Sequence, residues 1–307
     1  MAMTPMCCCD DVKPRKIILD IDNGLGLPVA DTDDALALAL ALGSPEIELL
    51  GVTTCAGNCT TDQSTRSTLV QLGLADRREI PVASGRSDPL LRSRAAHFAY
   101  LETKRTGPGA RFWSHLPPNP SPDHKASPLK AHELIIQEVR RHPGEVTIVA
   151  AGSLTNLALA VLANPEIAGL LKGVVHMGGG FEPAHKGDAP LVWNTPDIPD
   201  QVWCDILRFN PLFDPEASAI VCLSGVPLTL VPVNVTAQVF QRPRHLEMLA
   251  ANPSTFHQHL HCHARPWVLW SREDRKLPGA HLHDPLALAL VVVPDLVRYR
   301  RLWVDVE

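Results

Sequence analysis

The sequence has no surplus of positive charge, no apolar run long enough for a bilayer, and no cysteine spacing that reads as a disulfide framework. Lys plus Arg number 28 against 33 Asp plus Glu, for a formal net charge of −5. A net acidic surface attracts neither phosphate backbones nor anionic lipid, so general nucleic-acid binding and adhesion to acidic membranes are not expected. The longest apolar stretch, Ala35 to Leu42, is far short of the ~20 residues that cross a hydrocarbon core. The opening MAMTPMCCCDDVKPRK has no apolar signal core. Cys7, Cys8 and Cys9 are adjacent, and adjacent thiols do not readily pair; Cys55, Cys59, Cys204, Cys222 and Cys262 are scattered. The chain therefore reads as a reduced, cytoplasmic protein, with residues 1–15 expected to be a polar, disordered leader. No internal repeat is visible.

What is present is the rhythm of an α/β protein. Hydrophobic residues make up 45% and charged residues 20% of the 307 positions, enough for a sizeable core. Short β-branched runs predict buried strands at Lys16–Ile21, Glu46–Thr54, Ile80–Ala83, Val146–Ala151, Gly173–Met177 and near Leu228–Val233. Between and after them lie predicted helices at Asp33–Leu42, Thr61–Leu72, Leu129–Arg140, Leu154–Leu162, Pro215–Leu223, His245–Leu249, Thr255–Trp270 and Asp284–Val292. Two stretches break the pattern, Arg105–Pro128 and Gly178–Phe213, both rich in turn residues. Strands alternating with helices predict one doubly wound, mostly parallel sheet of Rossmann-like type over residues 16–307. Such sheets bind ligands beyond the carboxyl ends of their strands.

The first of those strand ends is the most informative segment. In LDIDNGLGLPVADTDDALALALAL, five carboxylates (Asp20, Asp22, Asp31, Asp33 and Asp34) fall within fifteen residues. Packed like charges repel and need a cation, protonation or a helix N-terminus to compensate them. Helix capping accounts for one or two of them; hard oxygen ligands without cysteine favour Ca²⁺ or Mg²⁺ over zinc.

This stretch resembles the opening of the inosine–uridine-preferring nucleoside hydrolases: strand, D-x-D, Gly-containing turn, D-D-A and apolar helix. Further blocks match in order: SPEIELLGVTTCAGN ending in Asn58, VTIVAAGSLTNLALA, GVVHMGGGF, FNPLFDPEAS and LHDPLALA. The resemblance implies a Ca²⁺-dependent enzyme that hydrolyses the N-glycosidic bond of purine or pyrimidine ribonucleosides. It implies metal ligation by Asp22, Asp34, Asp284 and the main-chain oxygen of Ala151, where similar proteins usually carry Thr. Asp22 would also be the general base toward the attacking water. Asp33, Asn58 and Asn210 would hold the ribose hydroxyls. His283, with an ordinary pKa near 6.5, would protonate the departing base. Trp267 or Trp270 could stack on the nucleobase, or serve in the core or an interface. A homo-oligomer, dimer or tetramer, is the expectation for such proteins.

Several features depart from the family pattern. The linker between Asp22 and Asp33 is longer than usual, which admits Asp31 as a replacement metal ligand. Arg208 stands where Glu is common, and an insertion at 182–205 is expected to reshape the 5′-hydroxyl end of the pocket. Relatives continue past LWVDVE, so a shortened C-terminus is expected. ILDIDNG also resembles the haloacid-dehalogenase phosphohydrolases, with Asp20 as nucleophile, Asp22 as acid–base and Mg²⁺, but no downstream acidic pair accompanies it. A non-catalytic nucleoside- or ribose-binding protein is the third possibility. In FHQHLHCHARPW, His257, His259, His261 and His263 would share a face only on a strand, where they could bind Zn²⁺ or Ni²⁺; a helix broken at Pro266 is expected instead. Cys55 and Cys59 flank the Asn58 turn without a second pair, and Gly178–Gly180 is expected to form a tight active-site turn.

Overall fold

The computed structural model describes residues 13–180, 209–304 and 306. Most of the expected leader, Cys204, Arg208 and the 182–205 insertion lie outside those residues. Six strands form one parallel sheet: β1 (Arg15–Ile21), β2 (Ile47–Thr54), β3 (Val82–Ser84), β4 (Thr147–Ala150), β5 (Gly173–Met177) and β6 (Leu228–Val231). Their spatial order is β3-β2-β1-β4-β5-β6. The chain winds outward from β1 to β3, then returns to the other side of β1 to place β4. The order therefore reverses between β1 and β4, where an open sheet of this kind leaves a crevice at its carboxyl edge. The expected doubly wound sheet is present, with most boundaries within two residues of those read from the pattern. A short antiparallel ribbon, β7 (Phe240–Gln241) with β8 (Ala280–His281), stands apart from it.

β1 is central and buried from Lys16 onward, which is why its middle, Ile17–Leu19, reads as an apolar run. Its side chains alternate between two cores. Ile17, Leu19 and Ile21 face one cluster with Val52, Leu72, Val149 and Leu288; Ile18 faces the other with Ile148, Leu157 and Val174. Each such Ile or Leu contributes about 1.5–3 kcal/mol by leaving water. The residues just past β1 are thereby held on a rigid support.

Helix starts are set by local chemistry. Thr60 and Gln63 form a capping box at the helix Thr61–Leu74, with Gln63 N donating to Thr60 Oγ1 at 3.3 Å and Thr60 N to Gln63 Oε1 at 3.1 Å. The helix Asp33–Gly43 has Asp33 and Asp34 in its first turn, where the macrodipole favours negative charge. The expected break at Pro266 does not occur: one helix runs Thr255–Glu273 with Pro266 inside it. The ring removes a single rung of the ladder, and burial of Leu260, His263, Trp267 and Val268 on one side keeps the helix continuous. The irregular stretch after Arg105 contains a 3₁₀ turn, Pro108–Trp113, and is tied down rather than free: Asn119 Nδ2 donates to Leu25 O at 2.7 Å, and Ser127 N to Val82 O at 2.8 Å. Among the described residues no helix is long and apolar enough to cross a membrane.

Candidate active site

Asp22 is the first residue past β1 and is buried. Its Oδ2 accepts the backbone N–H of Asn58 at 2.5 Å, and its own N–H donates to Asp34 Oδ1 at 3.1 Å. Burial pushes its carboxyl up to about 6, against the opposing pull of the Asn58 N–H. The Gly57–Asn58 turn can lie this close only because residue 57 lacks a side chain; a Cβ there would sit 1.9 Å from Asp22 Oδ2. Cys59, just beyond, directs its thiol at the carbonyl oxygens of Asp22 and Asn23, at 3.3 and 3.5 Å.

Two residues earlier, Asp20 is sealed in the sheet. Thr53 Oγ1 and Asn156 Nδ2 donate to its Oδ1 at 2.7 and 2.8 Å, and burial pushes its carboxyl up to about 7. Held by these two donors within the sheet, Asp20 is not part of the carboxylate group that Asp33, Asp34 and Asp284 form, so it is not placed to be the nucleophile of that site.

The distant helix start at 283–284 closes the cluster. Asp33 Oδ2 accepts the backbone N–H groups of His283 at 3.0 Å and Asp284 at 3.2 Å, capping that helix from 250 residues away. One oxygen each of Asp33, Asp34 and Asp284 lie within 4.8 Å of one another, all three residues buried. Burial, with repulsion from neighbouring carboxylates, holds Asp34 and Asp284 well above the usual carboxylate range. Asp31 is held up likewise, by burial and by Asp33, so the inserted loop does bring it beside the cluster. Among the described residues, Asp34 Oδ2 is buried with no hydrogen-bond partner. Convergent carboxylates around such an orphaned oxygen fit a hard divalent ion. The cluster can therefore hold a metal; its closest carboxylate group includes Asp33 where the resemblance implied Asp22.

Ala151 follows β4, and its carbonyl accepts from Asn210 Nδ2 at 2.6 Å; the same nitrogen reaches Met177 O at 3.0 Å. A carbonyl has two lone pairs, so this bond leaves one available. His283 Nδ1 lies 2.6 Å from Thr236 Oγ1. Burial, then the adjacent His281 and Arg275, holds the His283 imidazole well below its ordinary range. This environment penalises a further positive charge on the ring, where the sequence reading took an unperturbed imidazole. Asp22, Asp33, Asp34, Asn58 and Asp284 thus converge on the crevice between β1 and β4, with Ala151 and Asn210 joined at its β4 side.

Comparison with known proteins points to one family. The family model for inosine–uridine preferring nucleoside hydrolases matches residues 17–307. The chain belongs to that family. As a nucleoside hydrolase it is an enzyme that hydrolyses N-glycosyl bonds. It is 34% identical over 295 residues to a pyrimidine-specific ribonucleoside hydrolase of Shewanella baltica, covering 95% of this chain and 82% of that protein. It is 32% identical over 297 residues to uridine nucleosidase 1 of Arabidopsis thaliana, covering 96% and 79%. Among solved structures it superposes on a purine-preferring ribonucleoside hydrolase from Gardnerella vaginalis with a TM-score of 0.74 at 27% identity, over 92% of this chain and 82% of that one. Membership of the nucleoside hydrolase family, together with the sealed Asp20, sets aside the phosphohydrolase alternative.

In this nucleoside hydrolase Trp267 is a core residue. It is 6% exposed and packs with Trp113, Leu246 and Val268, its ring centroid 6.3 Å from that of Trp113. Trp270 lies against it at 4.7 Å, and the Arg275 guanidinium sits 5.9 and 5.3 Å from the two rings. Burial brings Arg275 down to about 10, opposed by Asp31. The four histidines lie on a helix, with His259 and His263 stacked at 4.0 Å. Sequence reasoning missed His281, whose ring is 4.8 Å from that of His283, although the alternation in HLHDP marks it. It also missed the helix Ala95–Arg105, from which His97 Nε2 meets Gly57 O at 3.0 Å and Arg105 Nη2 donates to Asn58 O at 3.3 Å. That helix has no side-chain cap and no fully buried residue, so no apolar stripe announces it.

Proposed function

We propose that the protein hydrolyses ribonucleosides to free base and ribose with Ca²⁺ held by Asp22, Asp34, Asp284 and the Ala151 carbonyl. The convergence of Asp33, Asp34 and Asp284 from opposite ends of the chain carries this reading. Such an ion, when bound, supplies the missing counter-charge, grips a sugar diol and acidifies water. An all-oxygen set of irregular origin suits Ca²⁺, which accepts about 6–8 ligands in flexible geometry, better than Mg²⁺.

The remaining work falls to the chain's own groups. Asp22, oriented by the Asn58 N–H, takes the proton of the attacking water. Asp33, Asn58 and Asn210 hold the ribose hydroxyls and fix the sugar for attack. Cleavage of an N-glycosidic bond develops positive charge on the sugar, as in glycosidases, and the surrounding carboxylates stabilise it. His283, held at Nδ1 by Thr236, protonates the departing base or assists its departure. Two curated relatives are named for pyrimidine or uridine hydrolysis, which makes uridine the first substrate to assay, with inosine as the comparison.

The test is base release from uridine and inosine by the purified protein. Activity should vanish on chelation and return with Ca²⁺, and Asp22→Asn should be inert while folded. No release from any ribonucleoside in the presence of Ca²⁺ would overturn the proposal.

A further inference from the structure

The helix Ala95–Arg105 reaches both sides of the crevice. On the β1 side, the peptide group joining Gly57 to Asn58 is held at both ends. Its carbonyl oxygen meets His97 Nε2 at 3.0 Å, and its N–H rests on Asp22 Oδ2 at 2.5 Å. A carbonyl can only accept, so His97 carries its proton on Nε2. Burial lowers the proton affinity of His97, opposed by this hydrogen bond. The next carbonyl, that of Asn58, accepts from Arg105 Nη2 at 3.3 Å; the Arg105 side chain is itself 9% exposed and ion-paired to Glu102. On the β4 side, Arg94 at the helix N-cap donates to the carbonyls of Leu212 and Phe213. The His97 ring packs 5.6 Å from both Phe209 and Phe213, which bracket Asn210.

We infer that His97 and Arg105 are positioning residues: by gripping the Gly57–Asn58 turn from behind, they hold its N–H on Asp22 and fix where the base sits. Two physical effects act together. A peptide whose carbonyl is engaged is a stronger donor at its N–H. A turn pinned at two successive carbonyls also cannot drift from the carboxylate it orients, and displacements near 1 Å are costly in catalysis. The inference rests on the proposed role of Asp22.

Two variants separate donation from packing. His97→Phe keeps a ring among Phe98, Phe209 and Phe213 but removes the donor; His97→Gln restores an N–H donor. We expect His97→Phe to lower kcat on uridine about tenfold with the melting temperature unchanged, and His97→Gln to recover most of that loss. Arg105→Leu should lower kcat as well, and the double variant should lose less than the product of the single losses, because both residues hold one turn. A kcat within twofold of the parent for His97→Phe, or equal impairment of Phe and Gln variants, would overturn the clamp. Should His97→Phe not fold, Arg105→Leu decides by the same measure: reduced kcat at an unchanged melting temperature supports the clamp, and an unchanged kcat overturns it. An inert parent enzyme would sink the nucleoside hydrolase mechanism with it; an active parent with indifferent variants sinks the clamp alone.

Discussion

Adding one methyl group at Gly57 tests the site without removing any functional atom. A Cβ at that position would lie 1.9 Å from Asp22 Oδ2, whereas real Cβ contacts essentially never fall under 3.0 Å. The carboxylate or the turn must therefore shift by about 1.1 Å, the gap between those two distances. The obstructing atom ends a short side chain that is itself held by Asn58 and surrounded by buried groups, so the shift cannot be absorbed by rotation into solvent. A misplacement of this size costs about 100-fold in rate, equivalent to about 2.7 kcal/mol of transition-state stabilisation. Gly57 is not among the residues with positive φ, so backbone strain does not confound the result. Gly43→Ala, where nothing lies within 4 Å, is the matched control. The assay is kcat for base release from uridine with saturating Ca²⁺, on protein whose circular dichroism and melting temperature match the parent. A Gly57→Ala enzyme retaining more than a third of parental kcat would refute the placement of Asp22 as base.

Other consequences follow from the buried charge. Chelation should lower the melting temperature as well as remove activity, because Asp34 and Asp284 lose their counter-charge; Asp34→Asn should largely abolish that Ca²⁺-dependent stabilisation, and a melting temperature indifferent to Ca²⁺ would count against the site. In the metal-free protein, burial holds Asp20 up at about 7 and Asp22 at about 6, against an ordinary 3.8. The native state then binds these protons more tightly than the unfolded chain, so their contribution to stability is present at low pH and lost as pH rises through 6 to 7. Melting should accordingly occur at a higher temperature at pH 5.5 than at pH 7.5, and the reverse order would contradict the burial. Trp267→Ala should destabilise the fold by about 3–5 kcal/mol in urea unfolding, because it opens a cavity against Trp113 and Val268; a loss confined to KM would instead mark Trp267 as a base-stacking residue.

Much of the architecture was legible because burial and period write themselves into residue order. The Ile17–Leu19 run of β1 is apolar since both faces of the sheet are covered there, and the helix after it starts on acids because its first turn favours them. The site was legible only in part. Its acids could be listed, yet nothing in the order of residues says that Asp33 spends an oxygen on the amides of His283 and Asp284. Helix Ala95–Arg105 has no buried stripe and so leaves no periodic signal, although it supports the turn that orients Asp22. Pro266 misled for the converse reason: a local rule predicts a break, and packing of the helix around Trp267 outweighs one missing hydrogen bond.

Residue order alone determined the alternation of strands and helices, the acidic loop after β1, and the ordered blocks that mark a nucleoside hydrolase, since each is a property of neighbours along the chain. Tertiary structure alone decided which carboxylates share a site, that Asp20 is sealed away from it, that burial lowers the proton affinity of His283, and that Trp267 belongs to the core. Proton affinity and ligand geometry depend on burial and on distances between residues far apart in sequence, and those exist only once the chain has folded.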